Sequence, residues 1–185
     1  MSQSSVTERR LVEHLRLGSR EAFGQMYVQY KDSLCNYCYW LVKEKDRADD
    51  IVHDTFLKVW NNIGTLNDSG SFRSWLFTIA RNQALLYLRD RKPFEELTDE
   101  SSSESNDPLH VLISTELAGS VSSFLSALRP AYRELIVLRV YEELSYEEIA
   151  GVTGLSVSAV RVHLFRARKA LARLYNQRYG DKHEQ

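Results

Sequence analysis

Two stretches of this 185-residue chain carry cations in patterns suited to nucleic acid. In "SVSAVRVHLFRARKAL", Ser156 to Leu171, a helix centred on Val160 gathers Leu164, Ala167, Leu171 and Leu174 on one side. The other side carries Ser158, Arg161, Val162, Phe165, Arg166, Lys169 and Arg173, and no acid occurs between Ile149 and Gly180. Arginine can donate to guanine edges or to phosphates, and Val or Phe can meet thymine methyls, so this face suits a major groove. The competing reading is a solvated basic face. His163 lies toward the core flank and reads as structural. From Arg73 to Lys92 a second segment sets Arg73, Arg81, Arg89, Arg91 and Lys92 against one acid, Asp90, with Trp75, Phe77 and Tyr87 interleaved. Cations among aromatics suit a single strand, whose bases stack while its phosphates need neutralising. For Trp75, plain core packing is the favoured alternative.

Two further groups invite chemistry. Asp50, His53, Asp54, Leu57 and Asn61 share one helical face, an apolar centre with a charged rim that fits protein docking. A metal held by Asp50, His53 and Asp54 is the weaker reading, because one helical turn gives three ligands poor geometry. Cys35 and Cys38 form a lone C-x-x-C inside a helical pattern, with no second pair and no His nearby. Packed thiols are the simpler reading, and a redox or metal role stays open. No nucleophile–base pair or Gly-rich phosphate loop points to an enzyme.

The elements that must position these residues are helices. Eight Gly and three Pro are few, and three- and four-residue steps recur throughout. Phe23, Tyr27, Tyr30, Leu34, Cys38 and Leu41 line one helix; Val52, Phe56 and Val59 line the next. "NNIGTLNDSGS" breaks the pattern as a loop. Phe72, Leu76, Ile79, Gln83 and Leu86 line a third helix, which Pro93 ends. Pro93 to Pro108 holds six carboxylates, no Lys or Arg and little apolar surface, which predicts a flexible acidic linker. Beyond it, Ser145 and Glu148 form a capping-box pattern, Gly154 ends a helix and Ser156 starts another, the layout of a helix-turn-helix. The expected fold is all-α, with two small helical domains. No apolar run approaches the ~20 residues of a membrane span. Met1 to Arg10 lacks the apolar core of a signal peptide, so a cytoplasmic address is expected.

"ADDIVHDTFLKVW", "SFRSWLFTIARNQALLYLRDRK" and "LSYEEIAGVTGLSVSAVRVHLFRARKAL", in this order and spacing, resemble the extracytoplasmic function sigma factors of bacteria. The likeness spans about Glu21 to Arg178. It implies a region-2-like domain over 21–92, a linker over 93–115 and a region-4-like helix-turn-helix domain over 116–178. An N-terminal extension and helix start over 1–20 and a tail over 179–185 flank them. It implies a protein that binds core RNA polymerase, recognises promoter DNA and helps to melt it. Asp50, Asp54 and Leu57 would dock on the β′ coiled coil, and the C-terminal domain would rest on the β flap. Arg81, Asn82 and Arg89 would serve the −10 element. The loop from Asn62 to Gly70 would capture an unstacked base. Ser158, Arg161, Val162, Phe165 and Arg166 would read the −35 element. An anti-sigma partner, often membrane-bound in the family, is expected; an oligomer and a cofactor are not.

Two departures matter. Ser158-Ala159 stands where many members have Gly-Thr, and Val162-His163 where a small polar and a basic residue often follow. Valine cannot donate a hydrogen bond, so no base preference transfers to Val162. The linker carboxylates Glu95, Glu96, Asp99, Glu100 and Glu104 suggest a nucleic-acid mimic that nascent RNA displaces. An autonomous helix-turn-helix regulator remains the rival function; it would bind duplex operators alone, usually as a dimer.

Overall fold

The computed structural model describes residues 3–68, 71–90 and 116–179. Its described elements are helical: α1 (Gln3–Arg16), α2 (Arg20–Val42), α3 (Lys45–Asn62), α4 (Phe72–Asp90), α5 (Glu116–Ala127), α6 (Pro130–Ile136), α7 (Tyr146–Thr153) and α8 (Val157–Tyr179). A 3₁₀ turn, Ile63–Thr65, follows α3, and a π turn, Val137–Tyr141, extends α6. Among the described residues no helix is long and apolar enough to cross a membrane. The acidic linker, with Glu95, Glu96, Asp99, Glu100 and Glu104, lies outside the described residues, as does the tail beyond Tyr179.

The N-terminal half is a bundle of α1 to α4. Ser19 caps α2 by accepting from the Ala22 amide at 3.2 Å. Lys43 ends α2 in a left-handed conformation, φ 60°, and its Nζ lies 3.6 Å from the Trp40 ring centre. Val52, Phe56 and Val59 of α3 are buried as the periodicity requires. Phe56 takes Phe23 edge-on at 6.0 Å and Tyr27 at 4.8 Å. The segment before α2 is itself helical. Val12 and Leu15 of α1 are buried, Tyr30 donates to Glu8, and Arg16 donates to the Leu66 carbonyl.

In the C-terminal half, Arg133 gathers the end of α5. Its Nε donates to the Leu125 carbonyl at 2.9 Å, and one Nη to Ser126 at 2.8 Å and Leu128 at 2.9 Å. The last carbonyls of a helix lack the full set of intrahelical donors, and Leu125 otherwise accepts only the 3.1 Å bond from the Leu128 amide among the described contacts. The capping box at α7 is complete: Ser145 Oγ accepts from the Glu148 amide at 3.1 Å, and the Glu148 carboxylate accepts from the Ser145 amide at 2.7 Å. Gly154 then turns the chain at φ 73°, where a Cβ would be strained. Ser156 Oγ accepts from the Ala159 amide at 3.2 Å to start α8.

The halves do not stand apart. α6 packs on α2 and α7 packs on α4. Buried residues from both form one continuous core. This corrects the reading of α4. Phe72 and Leu76 are buried as expected, but Leu86 is exposed, while Phe77, Ala80 and Ala84 are buried instead. A helix covered on two sides hides a wider arc than a single amphipathic stripe. Phe77, 0% exposed and 5.2 Å from the Tyr37 ring, is core and not a stacking platform for bases.

Candidate nucleic-acid interface

α8 divides as its sequence angles dictate. Val160, Leu164 and Ala167 are buried, and Leu171 and Leu174 are half-buried against the core. Ser158, Arg161, Val162, Phe165 and Arg166 are all exposed on the far side. Phe165 is 67% and Val162 46% exposed, a heavy cost in apolar hydration unless something covers them. Neither Arg161 nor Arg166 takes part in an ion pair among the described residues. Ser158 Oγ lies 3.0 Å from Ser156 Oγ, which ties it to the start of the helix. His163 sits beside Tyr132 with ring centres 5.9 Å apart, half-buried, in keeping with a structural part.

The α4 residues are arranged otherwise. Asn82 and Arg89 are exposed, with Arg89 Nε 3.6 Å from Asp90. Arg81 turns into the seam between the halves, where its Nε donates to Glu134 of α6 at 2.7 Å. Burial works against the Arg81 charge, but the hydrogen bond and charge of Glu134 outweigh it and raise the pKa. Tyr37 of α2 donates to the same Glu134 oxygen at 2.9 Å. Burial, with the negative charge of Glu134, pushes the Tyr37 hydroxyl well up. About two helical turns earlier on α4, Arg73 lies 3.6 Å from Glu142, which also accepts from Ser33. Burial raises the Glu142 carboxyl despite the opposing help of Ser33 and Arg73. The sequence pattern does not single out Glu134, Glu142, Tyr37 or Ser33, and it offers Arg73 only as one cation of the basic run. The available signal was Arg73 and Arg81 on the arc of α4 that holds Phe77, Ala80 and Ala84.

Between α3 and α4 runs a groove of about 400 Å³ lined by Asp50, Asp54, Gln83, Leu86 and Asp90 among others. Asp50 and Asp54 are exposed, Leu57 is 49% exposed, and Lys58 Nζ reaches Gln83 at 2.6 Å to tie the two helices. In the loop that follows, Ile63 and Leu66 are buried anchors, while Gly64, Thr65, Asn67 and Asp68 are exposed. Ser69 and Gly70 lie outside the described residues. Cys35 donates to Asp49 at 3.2 Å, and burial together with that carboxylate pushes its thiol up to about 12. Burial raises Cys38, which is fully covered, as well. Burial thus works against the thiolate in both, the form that attacks and that ligates metal.

Two helical units, one closing on a helix-turn-helix with an open basic face, define a DNA-binding class of protein. The model of Sigma-70 region 2 matches residues 26–94, and that of Sigma-70, region 4 matches residues 119–171. RNA polymerase sigma factor YlaC of Bacillus subtilis (strain 168) is 32% identical over 159 residues, covering 82% of this chain and 91% of that protein. ECF RNA polymerase sigma factor BldN of Streptomyces coelicolor (strain ATCC BAA-471 / A3(2) / M145) is 32% identical over 169 residues. That match covers 89% of this chain, which spans 64% of BldN's length. The solved structure of CnrH in complex with the cytosolic domain of CnrY superposes with a TM-score of 0.70 at 31% identity. It covers 92% of this chain and 97% of CnrH. The chain belongs to the extracytoplasmic function sigma factors, the RNA polymerase sigma factors built from regions 2 and 4.

Proposed function

We propose that this chain binds core RNA polymerase and selects promoters through two DNA-facing surfaces. The observation that carries this is the open face of α8, where Arg161, Val162, Phe165 and Arg166 stand exposed with no acid among them. Ser158 and these four read the −35 element, with arginine on base edges or phosphates and Val162 and Phe165 against thymine methyls. Asn82, Arg89 and Arg81 serve the −10 element, and the loop from Asn62 holds an unstacked base. Asp50, Asp54 and Leu57 dock on the β′ coiled coil, an exposed leucine rimmed by carboxylates. The C-terminal domain rests on the β flap. The domain bounds are 21–92 and 116–178, with the acidic linker between. The chain works in the cytoplasm, is a monomer when free, has no catalytic activity of its own and is under an anti-sigma factor. CnrH was solved with the cytosolic domain of CnrY, and this supports a protein partner for the present chain.

Run-off transcription with purified core polymerase on genomic fragments is the test. A promoter-specific transcript that depends on this chain is expected. Tight duplex binding by the chain alone, with no transcript from any core of the source organism, would favour the autonomous regulator instead.

A further inference from the structure

The outward midline of α8 is apolar at its centre. At about 100° per residue, Ser158, Val162, Phe165 and Lys169 lie within roughly 40° of the line opposite the buried Val160. Arg161 and Arg166 fall on either side of that line, roughly 60–80° away. All six are exposed. A recognition helix meets base edges with its N-terminal turns, and Val162 and Phe165 sit in the first three turns of α8. The floor of a major groove therefore meets two apolar side chains, with one guanidinium toward each lip. Val162 stands where many members of the family carry a small polar residue, and its side chain has no donor or acceptor. Ser158, next on the midline, keeps its hydroxyl 3.0 Å from Ser156 Oγ at the start of the helix. His163 turns toward Tyr132, and its Nδ1 is buried without a hydrogen-bond partner.

The apolar feature that bases show in the major groove is a methyl group at C5 of a pyrimidine. Side chains three apart on a helix have Cβ atoms about 5–6 Å from each other. Base pairs stack about 3.4 Å apart, so Val162 and Phe165 reach the same or neighbouring steps. A methyl between them removes apolar surface from water, and its loss leaves those side chains without contact atoms on one side. The contact senses nothing at C4, so it cannot tell the O4 of thymine from the N4 amino group of a cytosine methylated at C5. We propose that Val162, with Phe165 beside it, is a specificity residue that reads the C5 methyl of a pyrimidine, favouring thymine over uracil and 5-methylcytosine over cytosine. This rests on the reading of α8 as the −35 helix. Arg161 and Arg166 hold the helix in register, and the methyl contact supplies choice. An upstream element with cytosine at that position is then a weak site that methylation at C5 strengthens.

The test uses the full chain assembled with core polymerase. Duplexes randomised in the upstream element are selected by binding. At each pyrimidine of the selected element, deoxyuridine is compared with thymidine, and cytosine with 5-methylcytosine, by competition binding and run-off transcription. Each comparison keeps the opposite base and every hydrogen-bonding group and changes only the methyl. At one or two positions the methylated base should bind about three- to five-fold more tightly in both comparisons, the worth of one buried methyl. Val162→Ser should level the comparison at one of these positions. Either comparison level at every position in wild type, or an unchanged pattern in Val162→Ser, overturns the proposal. Should that variant fail to fold, the wild-type comparisons decide alone. The same comparisons on duplexes selected by the chain without polymerase separate the two readings. A methyl preference there, with no promoter-specific transcript, keeps the methyl contact and removes the sigma assignment. Transcripts indifferent to the methyl keep the sigma assignment and remove the methyl contact. No sequence preference in either form overturns both.

Discussion

α4 and α8 are both basic helices, yet the chain treats them in opposite ways. α8 leaves Arg161 and Arg166 in solvent beside Val162 and Phe165, while α4 turns Arg73 and Arg81 into a seam and answers each with a glutamate. The formal net charge of −1 hides this contrast: Glu134 and Glu142 stand against α4, while no acid occurs between Ile149 and Gly180 along α8. A basic face is thus defined by what stands opposite it in the fold. α8 offers its basic face in the free chain, and α4 offers its own only in part.

The contrast can be broken most forcefully through the cores beneath. Leu164, 1% exposed, anchors the inner side of α8. Leu164→Ala should cost about 2–5 kcal/mol in unfolding free energy by urea titration, and a smaller loss would mean that α8 is not seated as described. Next comes the pair Arg81→Ala and Arg166→Ala. The first removes a charged hydrogen bond to Glu134, whose side chain is 11% exposed, and should cost about 1.5–3 kcal/mol. The second should lie within about 0.5 kcal/mol of wild type, as surface changes do. Equal losses would erase the difference between the helices. Arg161→Ala should weaken upstream-element recognition by about 1–3 kcal/mol in holoenzyme binding if its contact is bidentate to a base. A uniform loss on all sequences would assign Arg161 to phosphate. The smallest stability effect is expected at Leu57. Leu57→Asp should leave the melting curve nearly unchanged while abolishing co-purification with core, and a collapsed melting temperature would place Leu57 in the fold and not in docking.

Much of the C-terminal architecture was legible because its rules are local. Ser145 with Glu148, Gly154 and Ser156 each specify a conformation within a few residues, and the structure realises all three. The two-sided character of α8 was legible for the same reason: a single apolar stripe opposed by arginines leaves only one way to face the core. α4 was not fully legible. Its angles suggested Ile79, Gln83 and Leu86 inside, but α7 covers the other side and draws in Phe77, Ala80 and Ala84. No local pattern announces that a residue such as Glu134, 53 positions on, will meet Arg81. α1 was less legible because, among its described side chains, Val12 and Leu15 are buried between many polar neighbours.

The central contrast, one reading helix open and the other held, is tested most directly by energy transfer between α4 and α8. Donor and acceptor are placed by Asp90→Cys and Gln177→Cys, both exposed, in a chain with Cys35→Ser and Cys38→Ala. Strong transfer in the free chain that falls sharply when core polymerase is added is the expected result. Transfer that is equally weak before and after, or equally strong in both, would contradict the proposed parting of the two packed halves on the polymerase.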